Sequence, residues 1–304
     1  MTPQVINKRA QNSRNGAGGP VVLDPDKLAR FGPMRDRLAE RMAPGSRWSI
    51  DRGRRHQEVL TASGVSISFG GLRALDDVSL VARTGEVTGV IGPNGAGKTT
   101  FFNCISGLYT PDAGEMTFEG KPLRGSVVAR GRRGLGRTFQ NPRLFNSLSV
   151  LENLMLGCAV AENERRTYRF EPDLARLARP ERAERIARIV GFRGNLAMPA
   201  GSLAFGDLRV IELARALCGA PTLLMLDEPA SGLDVEQADD LVGLLRHLAD
   251  LGLAVVLIEH DMSVVMGVCD SITVLDFGTV LAQGTPDEVQ ADEAVIDAYL
   301  GSAV

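Results

Sequence analysis

The stretch GPNGAGKT at residues 92–99 constrains this chain more than any other. It fits G-x-x-x-x-G-K-[ST], follows the apolar run EVTGVI and leads into KTTFFNCISGL, which reads as a helix. A glycine-rich turn between a buried strand and a helix lets backbone N–H groups converge on phosphate oxygens, where a Cβ would stand in the way. Lys98 supplies a point charge for the outer phosphates, and the Thr99 hydroxyl a ligand for Mg²⁺. The loop alone predicts an α/β sheet carrying a nucleoside triphosphate, and nothing finer.

A second acidic station follows in LLMLDEP. Four apolar residues read as a buried strand, with Asp227 at its carboxyl end, the edge where such sheets bind ligands. Asp227 there holds Mg²⁺ directly or through water. Its neighbour Glu228 has two readings: a second metal ligand, or a general base on water with a pKa raised by its neighbour. Three isolated residues gain meaning around this pair. Gln140, in GRTFQNPRLF, is expected to end a strand and to reach metal or attacking water through its amide. His260, in LIEHD, falls just past the next expected strand and is either structural or a γ-phosphate contact. Phe69, in SISFGG, either stacks on a base or packs in the core. Finally SLAFGDLRVIELARAL, residues 202–217, opens on a glycine-bearing turn that enters an amphipathic helix, a second place suited to an anion.

The rest of the chain fixes the organisation. Residues from Val59 read as three strands in succession, since apolar and polar positions alternate with Gly breaks. A helix, the turn TPDAG and the short strand EMTFEG follow. Residues 142–205 change character to helix, through SVLENLMLGCAV and the Arg-rich PERAERIARIVGF. Alternation then resumes with LLML, a helix from Gln237 to Asp250, LAVVLI, and the short strands SITVLDFG and TVLAQG. The fold class expected is α/β: a mixed sheet with flanking helices, an antiparallel β subdomain and a helical subdomain at 142–205, within one domain at 59–304.

Composition excludes several classes. No apolar run approaches the roughly 20 residues that span a bilayer. Cys104, Cys158, Cys218 and Cys269 are scattered without a CxxC pair, which suits buried free thiols in a reducing compartment, and the three histidines lack metal-ligand spacing. The net charge of −3 is uneven, since residues 1–58 hold 12 Lys/Arg against 6 Asp/Glu. That basic leader, rich in Asn, Gly and Pro and without an apolar signal segment, is expected to be disordered apart from a short helix at PMRDRLAERM. It is a solvated tail, an arm for acidic lipid or RNA, or the product of a start placed ahead of Met34 or Met42; no nucleic acid partner is expected for the body.

In this order the motifs resemble the nucleotide-binding subunits of ATP-binding-cassette transporters, over residues 59–304. The resemblance implies ATP hydrolysis with ATP and Mg²⁺ as cofactors. It implies an adenine-stacking aromatic at Phe69 and a phosphate loop of Gly92, Pro93, Asn94, Gly95, Ala96, Gly97, Lys98, Thr99 and Thr100. It further implies catalytic roles for Gln140, Glu228 and His260, and metal ligation by Thr99, Gln140 and Asp227. The family signature falls on Leu203, Ala204, Phe205, Gly206 and Asp207, followed by an SGLD loop ending at Asp234. In that family two cassettes pack head to tail, each signature closing on the ATP held by the other, so the second anion-facing helix belongs to a partner's site. Ala204 and Asp207 depart from the commonest signature, LSGGQ; Asp207 is expected to bond backbone or Arg209 rather than face phosphate.

RTFQNPRLFNSLSVLENLMLG, LAFGDLR, LIEHDMSVVMGVCD, GTVLAQGTP and DAYLG resemble more narrowly the larger ATP-binding subunit of branched-chain amino acid importers. That implies a second cassette, transmembrane permease subunits, a periplasmic binding protein reached indirectly, and a cytoplasmic place on the inner face of the membrane. Other ABC systems, such as lipopolysaccharide export or import of other small amides and acids, share the motif order. A DNA-repair ATPase is excluded because only about sixty residues separate Gln140 from Leu203, too few for the long coiled coil of such enzymes.

Overall fold

The computed structural model describes residues 56–301, so the expectations for the leader, its short helix and its alternative starts lie outside the described residues. The first strands are β1 (Glu58–Phe69), β2 (Leu72–Arg83) and β3 (Val87–Ile91), followed by helix α1 (Lys98–Ser106). Next come β4 (Ala113–Phe118), β5 (Lys121–Pro122), α2 (Val127–Arg133) and β6 (Leu135–Arg137). The helical stretch holds α3 (Val150–Asn163), α4 (Arg179–Ile189) and α5 (Phe205–Cys218). The chain then runs through β7 (Leu223–Asp227), α6 (Val235–Asp250), β8 (Ala254–Ile258), α7 (Met262–Val268), β9 (Ser271–Asp276), β10 (Thr279–Gly284), α8 (Pro286–Ala291) and α9 (Glu293–Gly301).

Two sheets result. One is antiparallel, in the order β2-β1-β4-β5; the other runs β10-β9-β3-β8-β7-β6 and is parallel except for β10. Every residue of β3, β7 and β8 is buried, as befits strands covered on both faces. Because successive side chains point to opposite faces, the two covers receive alternate residues. Leu223, Met225, Val256 and Ile258 join Phe101, Phe102 and the antiparallel sheet in one apolar cluster. Leu224, Leu226, Val255 and Leu257 join α3 to α7 in the other. The loops after β3, β6, β7 and β8, which carry most of the expected site residues, all leave the carboxyl edge of this parallel array.

Caps set the helix starts. Ser149 and Glu152 form a reciprocal capping box at α3, and Asp234 and Gln237 do so at α6. The latter starts α6 at Val235, two residues before the expected position. Two short helices, α2 and α7, have no counterpart in the sequence reading. The strand expected to end at Gln140 stops at Arg137, and residues 138–149 form a loop. Asn153, fully buried, stitches that loop: its side chain accepts from the Phe145 N–H and donates to the Phe145 and Ser149 carbonyls. The four cysteines are buried and free. Among the described residues no helix is long and apolar enough to cross a membrane.

Candidate functional site

The phosphate loop links β3 directly to α1. Gly92 has φ +146°, and a Cβ there would lie 2.0 Å from the Leu275 carbonyl oxygen; at Gly97, with φ +100°, it would lie 2.8 Å from that of Ala74. Both positions therefore exclude a side chain on steric grounds as well as conformational ones. Gly97 caps α1 without any side-chain acceptor, which leaves the first-turn N–H groups directed outward. Lys98 curls back and donates from Nζ to the carbonyls of Gly92 at 2.7 Å and Pro93 at 2.9 Å. Burial holds its ammonium below the ordinary lysine value, partly offset by Glu228 and Asp227. Thr99, Asn94 and Gly95 are exposed and Thr100 half-buried. Ala96 differs from the expectation: its side chain is buried and its N–H closes the turn onto Pro93, so it shapes the loop.

Asp227 ends β7 and is nearly buried, facing Arg137 at 3.2 Å. Burial pushes its carboxyl up, and the Arg137 guanidinium counters this. Glu228, the next residue, adopts φ +48°, so the chain turns sharply out of the strand. Its N–H donates to the Ile258 carbonyl, and its Oε2 accepts from Gln140 Nε2 at 2.9 Å. The same oxygen lies 3.9 Å from His260 Nδ1. Three segments far apart in sequence thus bring Gln140, Glu228 and His260 to one point, although Gln140 arrives on a loop.

The LAFGD segment is divided. Leu203 packs against the core, while Ala204, Phe205 and Asp207 are exposed. Ala204 caps α5 without a side-chain hydrogen bond. Gly206 lies inside the first turn of α5, not in a turn before it. Asp207 does not pair with Arg209, which instead lies over the Phe205 ring at 5.0 Å and donates to the Gln140 and Glu228 carbonyls. Asp234 is occupied by its capping box, and Gln237 comes within 3.3 Å of where a Gly206 Cβ would be, so the SGLD turn and the LAFGD tip are neighbours in one chain. Phe69 lies apart from this cluster, 44 % exposed and edge-on to Tyr109 at 5.1 Å, which removes the core reading.

Four residues make contacts that the sequence reading did not foresee. Arg137 holds Asp227 and also donates to Asn103 Oδ1 and Ser106 Oγ, tying β6 to α1. Glu259, fully buried, accepts from the Ala230 and His260 N–H groups, so it joins the turn after Glu228 to the His260 loop. Arg209 and Glu212 are the others. A charged residue beside a recognised one, as in DEP, EHD or GRTFQ, is the only available signal, and it does not name the partner. For a divalent cation, the Thr99 hydroxyl, the Asp227 carboxylate and the Gln140 amide are hard oxygen donors. A set so small suits Mg²⁺, which keeps waters and phosphate oxygens among its ligands.

Residues 75–231 match the family described as ABC transporter, and residues 279–304 match the branched-chain amino acid ATP-binding cassette transporter family. The chain is 40% identical over 255 residues to the high-affinity branched-chain amino acid transport ATP-binding protein BraF of Pseudomonas aeruginosa, covering 81% of this chain and 98% of that one. It is 41% identical to LivG of Salmonella typhimurium, of the same description, covering 81% and 99%. Against the lipopolysaccharide export system ATP-binding protein LptB of Escherichia coli the identity is 34%, with 80% and 97% covered. Among solved structures, an ADP-conformation ATP-binding cassette of an ABC transporter superposes with TM-score 0.69 at 30% identity, covering 81% of this chain and 99% of that one.

Proposed function

The chain belongs to the ABC transporter family and is an ATPase of that family, and from this premise we propose that it powers a branched-chain amino acid importer. The observation that carries hydrolysis is the approach of the Gln140 amide to the Glu228 carboxylate at 2.9 Å, with His260 beside it. The preference for branched-chain amino acids over lipopolysaccharide export rests on the higher identity to BraF and LivG and on the match of residues 279–304.

ATP enters with its phosphates over the phosphate loop, and Phe69 stacks on adenine. Lys98 exchanges the Gly92 and Pro93 carbonyls for phosphate oxygens, so its ammonium meets charged acceptors in place of neutral ones. Gln140 orients a water, and Glu228 Oε2 takes its proton as the water oxygen attacks the γ-phosphorus. The bond to the bridging oxygen breaks, and ADP leaves with its electron pair. His260 hydrogen-bonds the transferring phosphoryl group. Thr99, Asp227 and Gln140 would hold Mg²⁺, which, when bound, neutralises charge on the phosphate oxygens.

The uncapped start of α5, with the exposed residues Ala204, Phe205 and Asp207, faces the γ-phosphate of a second cassette, with the helix dipole favouring that anion. Asp234 lies at the same surface. The assembly attaches to permease subunits at the inner face of a membrane and receives amino acids from a periplasmic binding protein.

The test pairs hydrolysis with uptake. Glu228→Gln should keep ATP affinity while hydrolysis falls by about 10²–10⁴-fold, the span of general-base removal. Cells carrying that variant as their sole copy should lose uptake of labelled leucine, isoleucine and valine. Unchanged turnover moves the base elsewhere. Lost turnover with normal amino acid uptake defeats the substrate reading alone.

A further inference from the structure

Arg209 and Glu212 lie one helical turn apart on α5, both nearly buried, and besides contacts to Phe205 and Arg215 of that helix each reaches beyond it. The two terminal nitrogens of Arg209 donate to different segments: Nη1 to the Glu228 carbonyl at 2.8 Å and Nη2 to the Gln140 carbonyl at 2.9 Å. A planar guanidinium fixes two such acceptors in one geometry, which an ammonium does not. Glu212 grips the residues on either side of Gln140. Its Oε1 accepts from the Arg143 N–H at 3.0 Å and its Oε2 from the Phe139 N–H at 3.4 Å. The backbone that carries Gln140 is thereby tied to α5 at three points, and the backbone of Glu228 at a fourth.

The packing of α5 is uneven: Ile211, Ala214 and Leu217 are fully buried in the core, but a gap faces α6. Between the first two turns of α5 and α6 lies a cavity of about 200 Å³, lined on one side by Gly206, Val210 and Leu213 and on the other by Leu241 and Leu244. On that side of α5 the bonds of Arg209 and Glu212 add to the apolar contacts, and in a low-dielectric interior such bonds are strong and directional. The Glu212 carboxyl illustrates the setting: burial pushes it up, while the two loop N–H groups and Arg215 and Arg209 favour its charged form.

We propose that Arg209 and Glu212 are positioning residues for hydrolysis. They hold the Gln140 and Glu228 side chains in register with the α5 start, so that seating the LAFGD tip against a partner also sets the geometry of this chain's own catalytic pair. The proposal rests on Glu228 acting as the base, and the closing experiment separates the two.

Full-length Arg209→Ala, Arg209→Lys and Glu212→Gln proteins are compared for phosphate release, affinity for a fluorescent ATP analogue, and amide exchange at residues 139–143. A small displacement of a catalytic group costs about 10²-fold, so Arg209→Ala should lose about that much kcat with ATP affinity nearly unchanged. Arg209→Lys, which reaches one carbonyl at a time, should recover part of the loss. Glu212→Gln, which turns an N–H donor toward a loop N–H, should raise exchange at Phe139 and Arg143 and lower kcat. Combined with Glu228→Gln, Arg209→Ala should produce no further loss, because both act on one step.

Parental kcat in both Arg209→Ala and Glu212→Gln overturns the proposal, and so does an ATP affinity that falls in step with kcat. Unchanged exchange at residues 139–143 in Glu212→Gln overturns it even where turnover is too slow to resolve. Parental turnover in Glu228→Gln alone instead overturns the assignment of the base, whatever Arg209 does.

Discussion

Two helix starts in this molecule offer backbone N–H groups to an anion, yet they are built in opposite ways. The start of α1 is clamped: its glycines approach the Leu275 and Ala74 carbonyls so closely that no Cβ fits, and Phe101 and Phe102 bury the helix behind it. The start of α5 is open: Phe205 is 47 % exposed, the nearest group that a Gly206 Cβ would meet is the flexible Gln237 side chain, and a cavity lies beneath. A rigid cradle suits a ligand held by one chain through a whole cycle. An exposed, loosely packed tip suits a surface that must engage and release another chain. The dipole is common to both, and the support around it decides the use.

The sharpest way to break this contrast is Gly206→Asp. At an effective dielectric of about 20, unit charges about 4 Å apart repel by about 4 kcal/mol, close to 10³-fold. Hydrolysis should fall on that scale, while a fluorescent ATP analogue binds the variant's own phosphate loop as before. Loss of that binding would show the tip acting within its own chain, and the contrast would fail. Gly92→Ala tests the clamped side. A non-glycine residue in a sparsely populated backbone region costs about 1–3 kcal/mol, and here a carbonyl blocks the Cβ as well. Both thermal stability and ATP affinity should drop, the latter by at least about tenfold. Equal affinity would mean that the loop adapts and is not clamped. The smallest effect is in pH. Burial holds the free Lys98 ammonium below the ordinary 10.5, so its charge is lost earlier than usual as pH rises. Because phosphate binds the charged form, ATP affinity should decline on the alkaline side, beginning below 10.5. A Lys98→Arg protein, whose charge persists, should show no such decline in direct titrations.

Sequence reading reached what local pattern encodes. Gly92, Gly97 and Lys98 sit in a spaced motif between a strand and a helix, and the boundaries of β7 and β8 follow from short apolar runs ended by acids. It misjudged Gln140 because β6 is three residues long and its pairing with β7 stops at Arg137, a tertiary limit with no local mark. It offered Asp207 the backbone or Arg209 as partner, whereas the Arg209 fork goes to the Gln140 and Glu228 carbonyls, on two segments distant in sequence. Glu212 and Glu259 were invisible for a related reason. Each serves backbone N–H groups, and such groups occur at every residue, so no side-chain complement betrays the contact. Residues 1–55 remain a compositional reading.

The left-handed backbone of Glu228 has an evolutionary consequence. Asn, Asp and Gly occupy that conformation more readily than Glu does. Random change at this position to Asn or Gly therefore relaxes the chain and removes the carboxylate proposed as the base together. Stability gives no protection to the active form here and favours its loss, as at sites where strain serves function. If Glu228 is the base, its retention opposes backbone relaxation, and its replacement by Gly exchanges turnover for a sturdier subunit.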